Sequence, residues 1–380
     1  MLTLFPASTG GNRVKVGIVG LPLVGKSTIF NLLTYGHVDT SSWGGGRGEA
    51  HIGIAQVPDP KLDRLAAIFH PKKITYASVE YVDLPGLARG EGKSIESREM
   101  SAYLNSLKNV DALVHVVRSF EDENIPHSEG SVDPLRDIGL FELEMIFSDL
   151  AIIEKRLERL SKDLKKAKTL ELELEDAVLL RYKAALEQEQ PLRNLILTEE
   201  EQKRVKGFTF LSAKPLLLVL NLSDRDVSKI PHVAREFGLE SLAAQAGIGI
   251  TAVCGKIEAE IANLPEEDAH LFREDLGLAA SGLDRIIQKS YALLGLISFY
   301  TAGDPEVRAW TIYRDTTAQQ AAGVIHSDFE RGFIKAEVVS YDDMIQWESF
   351  QAARNKGVLR LEGKEYLVQE GDVILFRFNV

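Results

Sequence analysis

The sequence has little cysteine, since Cys254 is the single one among 380 residues. One cysteine excludes an internal disulfide, which suits the reducing cytosol. Long apolar runs are also lacking, because none reaches the roughly 18 residues that a membrane span needs. The first residues, Met1 to Pro6, have neither the charged head nor the long apolar core of a signal peptide. These absences predict a cytoplasmic protein with no membrane partner.

Basic residues are in the minority, with 44 Lys and Arg against 56 Asp and Glu and a formal net charge of −12. A chain of this charge does not bind polyanions over its whole surface, so we expect no DNA partner. Local basic patches remain possible. Any contact with RNA should be local and weakened by salt. The length of 380 residues allows two or three domains, each with its own core.

The first part of the chain alternates apolar runs with amphipathic segments. Near-continuous apolar strands separated by helices are typical of a mostly parallel sheet with helices on both faces. The predicted fold class is therefore α/β. The strand candidates are residues 14–19, 77–82, 111–117, 215–220 and 248–253.

Two later regions depart from this alternation. Between about residues 140 and 205, apolar residues at steps of three and four predict a long helix, and a second helical segment predicts an antiparallel hairpin that projects as an arm. From about residue 297 onward, short alternating strands and Gly- and Asp-rich turns predict a small mixed domain with its own sheet. The residues of the heptad seam are Leu143, Ile146, Leu150, Ile153, Leu157, Leu160 and Leu164.

The segment Gly20–Ser27 (GLPLVGKS) fits the pattern G-x-x-x-x-G-K-[ST] between an apolar run and an amphipathic segment. Its glycines let backbone N–H groups point into one concavity, to which the following helix adds its positive end. We expect Lys26 to reach the β and γ phosphates and Ser27 to bind Mg²⁺. The alternative is a glycine-rich turn without a ligand. The candidate phosphate-binding residues are Leu23, Val24, Gly25, Lys26, Ser27 and Thr28.

A second motif, DLPG, begins at Asp83 at the end of a predicted strand. In this position the carboxylate of Asp83 would lie beside the metal, and the backbone N–H of Gly86 would lie near the γ phosphate. The pattern D-x-x-G is weak alone, but its place after the phosphate loop strengthens the prediction. Lys26, Asp83 and Gly86 are therefore the candidate catalytic residues, and Ser27 and Asp83 are the candidate metal ligands.

Two further motifs predict a base-binding edge. The sequence NLSD follows the strand 215–220 at the place of the N-K-x-D motif of GTPases, and CGK follows the strand 248–253 at the place of S-A-K. An Asx turn that ends a strand is the alternative for NLSD. A literal SAK at residues 212–214 precedes the NLSD strand and is expected to be a decoy. The candidate base-binding residues are Asn221, Leu222, Asp224, Cys254, Gly255 and Lys256.

With these motifs in this order, the chain resembles the YchF / Obg-like ATPase family of translation-factor-class P-loop NTPases over nearly its whole length. The resemblance implies an OBG-type G domain at residues 12–139 and 206–296, a helical arm at 140–205, and a β-grasp-like TGS domain at 297–380 that is associated with ribosomes and RNA. Other blocks that resemble the family are residues 56–65, 70–73, 253–260, 299–303, 306–311, 321–334 and 370–373.

Three positions depart from common patterns. The third motif of the family is N-x-x-E and favours adenine, whereas this chain combines Leu222, as in the family, with Asp224, as in GTPases. ATP is slightly favoured, and GTP stays open. Leu87 stands where many GTPases have a water-orienting Gln, which implies slow turnover. Arg47 stands where the family has a Thr in its switch block, either as a source of positive charge at the γ phosphate or as a solvated loop residue.

The motifs predict Mg²⁺-dependent binding of ATP or GTP, and the resemblance implies slow hydrolysis that is coupled to ribosome or rRNA binding through the arm and the TGS domain. The competing hypothesis is a nucleotide-gated ribosome- or RNA-binding module with little or no hydrolysis. His115, inside the strand 111–117, is expected to be a core or strand-edge histidine rather than a ligand.

Overall fold

The structure is a computed structural model that describes residues 14–34, 51–83, 103–278 and 280–379, without the side chains of Glu199 and Lys206. These residues form two compact units. The described residues of the first unit are 14–34, 51–54, 80–83, 103–278 and 280–293, and those of the second are 55–79 and 294–379. Within the described ranges, no helix is long and apolar enough to span a membrane.

The secondary structure alternates strands and helices over the first unit and ends with a strand-rich region. The strands are β1 (Lys15–Val19), β2 (His51–Gln56), β3 (Lys73–Thr75), β4 (Ser78–Asp83), β5 (Ala112–Ser119), β6 (Leu216–Leu222), β7 (Ile248–Val253), β8 (Leu296–Ala302), β9 (Glu306–Tyr313), β10 (Phe333–Val339), β11 (Arg360–Glu362) and β12 (Val373–Phe378). The helices are α1 (Lys26–Thr34), α2 (Pro60–Phe69), α3 (Pro134–Lys166), α4 (Leu170–Leu186), α5 (Glu199–Val205), α6 (Val233–Glu236), α7 (Glu240–Ala243), α8 (Gly255–Ile261), α9 (Glu266–Asp275), α10 (Gly282–Leu293), α11 (Ala318–Ile325), α12 (Ser327–Arg331), α13 (Tyr341–Trp347) and α14 (Phe350–Asn355).

The first sheet has the strand order β2-β4-β1-β5-β6-β7. β1 runs parallel to β4 and β5, and the pairs β5–β6 and β6–β7 are also parallel. β5 and β6 are buried along their whole length, which explains why apolar residues dominate their sequences. The predicted mostly parallel sheet is confirmed. Because the strands are parallel, the loops after β1, β4, β6 and β7 leave from one edge, where α/β proteins bind ligands.

The hairpin of α3 and α4 has the packing that the heptad pattern predicts. Every seventh residue of the seam, namely Ile146, Ile153 and Leu160, is fully buried and packs with apolar residues of α4. Arg156 of α3 also donates two hydrogen bonds of 2.7 Å to Glu175 of α4. α3 begins at Pro134, earlier than the predicted boundary at 140, because Asp133 caps the helix and proline is favoured in its first turn.

The second sheet has the strand order β11-β10-β12-β8-β9-β3. The pairs β8–β9 and β10–β12 are antiparallel and the pairs β12–β8 and β3–β9 are parallel, so the sheet is mixed, as expected. Residues 55–79 lie in this unit, whereas the sequence-based division placed them with residues 12–139. They lie here because β3 extends the sheet beyond β9, and because the hydroxyl of Tyr300 donates a hydrogen bond of 2.9 Å to Asp59, the N-cap of α2.

Candidate nucleotide-binding site

The loop between β1 and α1 has a shape that its glycines permit. Gly20 and Gly25 have positive φ angles of 143° and 99°. A Cβ at Gly20 would lie 2.3 Å from the carbonyl oxygen of Val116, and one at Gly25 would lie 2.5 Å from Nδ2 of Asn221. Any side chain at either position would therefore displace the loop. Of the predicted phosphate-binding residues, Val24 and Lys26 are buried, Gly25 is half-buried, and Leu23, Ser27 and Thr28 are exposed.

Lys26 lies against the loop that it follows. Its Nζ donates hydrogen bonds to the carbonyl oxygens of Gly20 at 3.0 Å and Leu21 at 2.7 Å. Burial lowers the pKa of Lys26 to about 8, and the carboxylate of Asp83 opposes part of that effect. The ammonium group is thus desolvated and held at the centre of the loop, where a phosphate would stabilise its charge.

Ser27 and Asp83 meet at the predicted metal position. The Ser27 hydroxyl donates a hydrogen bond of 2.9 Å to Oδ2 of Asp83. Oδ1 of Asp83 is buried and has no hydrogen-bond partner among the described residues, and burial raises the pKa of this carboxyl group. A hydroxyl and a carboxylate oxygen with spare acceptor capacity are the ligands that Mg²⁺ prefers. The residues present therefore fit the predicted magnesium site.

Asn221 joins the phosphate loop to the predicted base-binding loop. Its side chain is buried at the end of β6. Its Nδ2 donates a hydrogen bond of 2.9 Å to the carbonyl oxygen of Val24, and its Oδ1 accepts one of 3.0 Å from the backbone N–H of Gly255. One amide thereby holds together two motifs whose contacting residues lie 197 positions apart in the sequence.

The side chains of Leu222 and Cys254 lie beneath the predicted base-binding edge. Both side chains are buried in the apolar core of the first unit, and Leu222 is only 2% exposed. Burial also raises the pKa of the Cys254 thiol. These side chains consequently stabilise the strand ends that carry the base-binding loops and offer almost no surface to a ligand.

Asp224 and Lys256 are exposed at the same edge. Oδ2 of Asp224 lies 2.8 Å from Nζ of Lys256, with 46% and 68% of the two side chains exposed. The ammonium group is the main cause of a lowered pKa of Asp224. The residue that would read a guanine base is therefore engaged by a partner from the CGK loop.

Two residues outside the motifs lie beside the phosphate loop. Tyr103 is buried, and its hydroxyl oxygen forms a hydrogen bond with the backbone of Gly20. His115, which pairs in register with Val19 of β1, is buried, and its ring contacts that of Phe141 in a tilted arrangement with 4.5 Å between the centroids. Burial lowers the pKa of His115 to about 3, which agrees with the expectation that His115 is a core or strand-edge histidine. No motif gave a signal for Tyr103, because its contact depends on tertiary structure alone.

The literal SAK sequence has a structural role. The hydroxyl of Ser212 donates a hydrogen bond of 2.7 Å to the buried carboxylate of Asp149 in α3. Nζ of Lys214 donates one of 2.5 Å to the carbonyl oxygen of Val110. Both polar side chains thus have partners within the fold, and the interpretation of this sequence as a decoy stays a prediction. Gly86, Leu87 and Arg47, which the sequence places at the γ phosphate, lie outside the described residues.

Comparisons with known proteins find similar sequences over nearly the whole chain. Residues 15–145 match a family model described as a 50S ribosome-binding GTPase, and residues 296–379 match the model of the C-terminal part of YchF GTPases, described as a protein of unknown function. The chain is 43% identical to the ribosome-binding ATPase YchF of Bacillus subtilis over 97% of this chain and 100% of that protein. It is 39% identical to the protein of the same name from Escherichia coli O157:H7, over 96% and 99%.

A solved structure gives the same result for the fold. The chain is similar to the Schizosaccharomyces pombe YchF GTPase with a TM-score of 0.82 and 31% sequence identity, over 98% of this chain and 100% of that one. A match of this quality over the whole length confirms the predicted P-loop fold class and the resemblance on which the domain expectations rest.

Proposed function

Because the chain belongs to the YchF family, we propose that it binds a purine nucleoside triphosphate with Mg²⁺, hydrolyses it slowly and couples this cycle to ribosome binding. The observation that carries the proposal is the bridge made by Asn221, which brings the phosphate loop and the base-binding loop to one edge of the sheet. The paired Ser27 and Asp83 lie at the same edge.

Each polar residue of the site has a distinct task in this proposal. Lys26 would neutralise charge on the β and γ phosphates, and Ser27 and Asp83 would hold Mg²⁺, which would neutralise further charge on the phosphate oxygens. Gly86 would donate its backbone N–H near the γ phosphate. Catalysis in such sites is positioning and electrostatic stabilisation, so that loss of Lys26 lowers binding and turnover together.

We propose ATP as the preferred nucleotide. The bacterial relatives are named ATPases, and the guanine-reading carboxylate of Asp224 is engaged by Lys256. GTP remains the alternative, since the family model for residues 15–145 and the yeast relative are described as GTPases.

We further propose that ribosome contact is made by the arm at 140–205 and the TGS domain at 297–380, in the cytoplasm. The G domain of 12–139 and 206–296, apart from residues 55–79, would carry the nucleotide. The end of the arm supports this assignment, because the C-terminal part of α3 and the link to α4 present four exposed lysines in a chain of net charge −12. Such a patch can meet rRNA phosphates locally. The lysines are Lys162, Lys165, Lys166 and Lys168.

Phosphate release from ATP and GTP by the purified protein, with and without ribosomes, tests the enzymatic part. We expect slow release by the wild type and only background release by Lys26→Ala. Release that never exceeds the Lys26→Ala background, in the presence of intact nucleotide binding, would replace the proposal by a nucleotide-gated binding module. Ribosome co-sedimentation of a Lys165→Glu/Lys166→Glu double variant tests the arm, and unchanged sedimentation at every salt concentration would exclude its tip as the contact.

A further inference from the structure

The ion pair of Asp224 and Lys256 connects the two loops of the base-binding edge. Asp224 begins the 3₁₀ helix Asp224–His232 after β6, and Lys256 lies in the first turn of α8 after β7. Asn221 connects both loops, because its Oδ1 accepts a hydrogen bond from the backbone N–H of Gly255. The exposed Oδ2 of Asp224 and Nζ of Lys256 lie 2.8 Å apart across these two loops.

The neighbouring carboxylate does not compete for Lys256. Asp226 has its own partners, since it accepts a hydrogen bond of 2.6 Å from the Ser223 hydroxyl and lies 2.7 Å from Nζ of Lys229. Each acidic residue of this turn thus has one lysine of its own. Lys256 is consequently available to Asp224 alone within this turn.

The two purines make opposite demands on a carboxylate at this place. Guanine presents two donors, N1–H and the N2 amino group, which together need both oxygens of a free carboxylate. Adenine presents the lone pair of N1 and has no amino group at C2, so that a bare carboxylate there meets a hydrogen-bond acceptor and is unfavourable. A lysine that is paired with the carboxylate neutralises its charge and leaves only one of its oxygens free to accept a hydrogen bond from the base. The same ammonium group is a hydrogen-bond donor, so it does not repel an acceptor such as N1 of adenine.

We propose that Lys256 is a specificity-determining residue, which shifts the base preference of the site from guanine to adenine by engaging Asp224. This inference rests on the proposed nucleotide binding and concerns only the choice of base. It explains how a chain with the aspartate of a GTPase can still belong with relatives that are named ATPases. Arg225 and Glu260 also act on this pair, but they contribute less than the two partners do to each other.

The test is the ratio of the dissociation constants for ATP and GTP, measured by titration with fluorescent analogues of each nucleotide. Lys256→Met keeps the aliphatic chain of the lysine and removes its charge. We expect the ratio to shift toward GTP by about two- to fivefold, which is the range of an exposed ion pair. Lys229→Met, which removes the lysine of the adjacent pair, is the matched control and should leave the ratio unchanged.

A double-mutant cycle identifies the route of the effect. In an Asp224→Ala background, Lys256→Met should no longer change the ratio, because there is no carboxylate left to release. A ratio that Lys256→Met leaves unchanged, or a shift that persists without Asp224, overturns the inference while the proposed function stands. A wild type that binds neither nucleotide overturns the proposed function itself, and this inference with it.

Discussion

Replacement of Asn221 by alanine should disconnect the two loops of the nucleotide site. The side chain is 6% exposed and makes hydrogen bonds of 2.9 Å to Val24 and 3.0 Å from Gly255. Each bond contributes about 1 kcal/mol, and a buried N–H left without a partner costs about 1–3 kcal/mol. We therefore expect Asn221→Ala to lower the free energy of unfolding by about 2–4 kcal/mol and to weaken nucleotide binding as well.

The assay combines urea denaturation with nucleotide titration. Asn263→Ala is a suitable control, because Asn263 also donates a hydrogen bond to a backbone carbonyl, that of Ala259 at 2.7 Å, but on an exposed helix end. This control should change the free energy of unfolding by less than about 0.5 kcal/mol and leave binding intact. The reasoning is refuted if the two variants have equal stability and equal nucleotide affinity.

Three other predictions concern buried titratable residues. Lys26 has a pKa of about 8 and binds phosphate only when protonated, so ATP affinity measured by titration should fall about tenfold between pH 7 and pH 9; a constant affinity would contradict this. His115, whose pKa is about 3 when folded, gains a proton on unfolding below pH 6.5. Urea denaturation of the wild type should therefore lose about 2 kcal/mol more than that of His115→Gln between pH 7.5 and pH 5, and parallel losses would refute it. Asp149, fully buried, accepts bonds from the backbone and hydroxyl of Ser212. Asp149→Ala should therefore destabilise the protein by about 3 kcal/mol in urea, whereas a change below 1 kcal/mol would exclude this anchoring role.

The sequence predicts those parts of the site that depend on local geometry. The shape of the phosphate loop requires positive φ angles at Gly20 and Gly25. The spacing of the glycines in the sequence predicts these angles. The arm is equally predictable, because a heptad seam specifies one buried face of a helix. Both features depend on residues that are neighbours in the chain.

The remaining features depend on residues that are distant in the chain. No pattern shows that the Leu222 side chain packs into the core or that Lys256 engages Asp224, because each contact is made only when two strands lie side by side. The membership of residues 55–79 in the second unit has the same origin. β3 has only three residues, and its pairing partner β9 begins at Glu306.

The central claim is that the loop Gly20–Ser27 binds a purine nucleotide through Lys26. The most direct measurement is calorimetric titration of Mg²⁺-ATP and Mg²⁺-GTP into the wild type and into Lys26→Ala. We predict one nucleotide per chain, with an affinity at least about tenfold weaker in the variant, since a charge-assisted hydrogen bond to phosphate is lost. Equal affinity in the two proteins, or no binding by the folded wild type, would contradict the account.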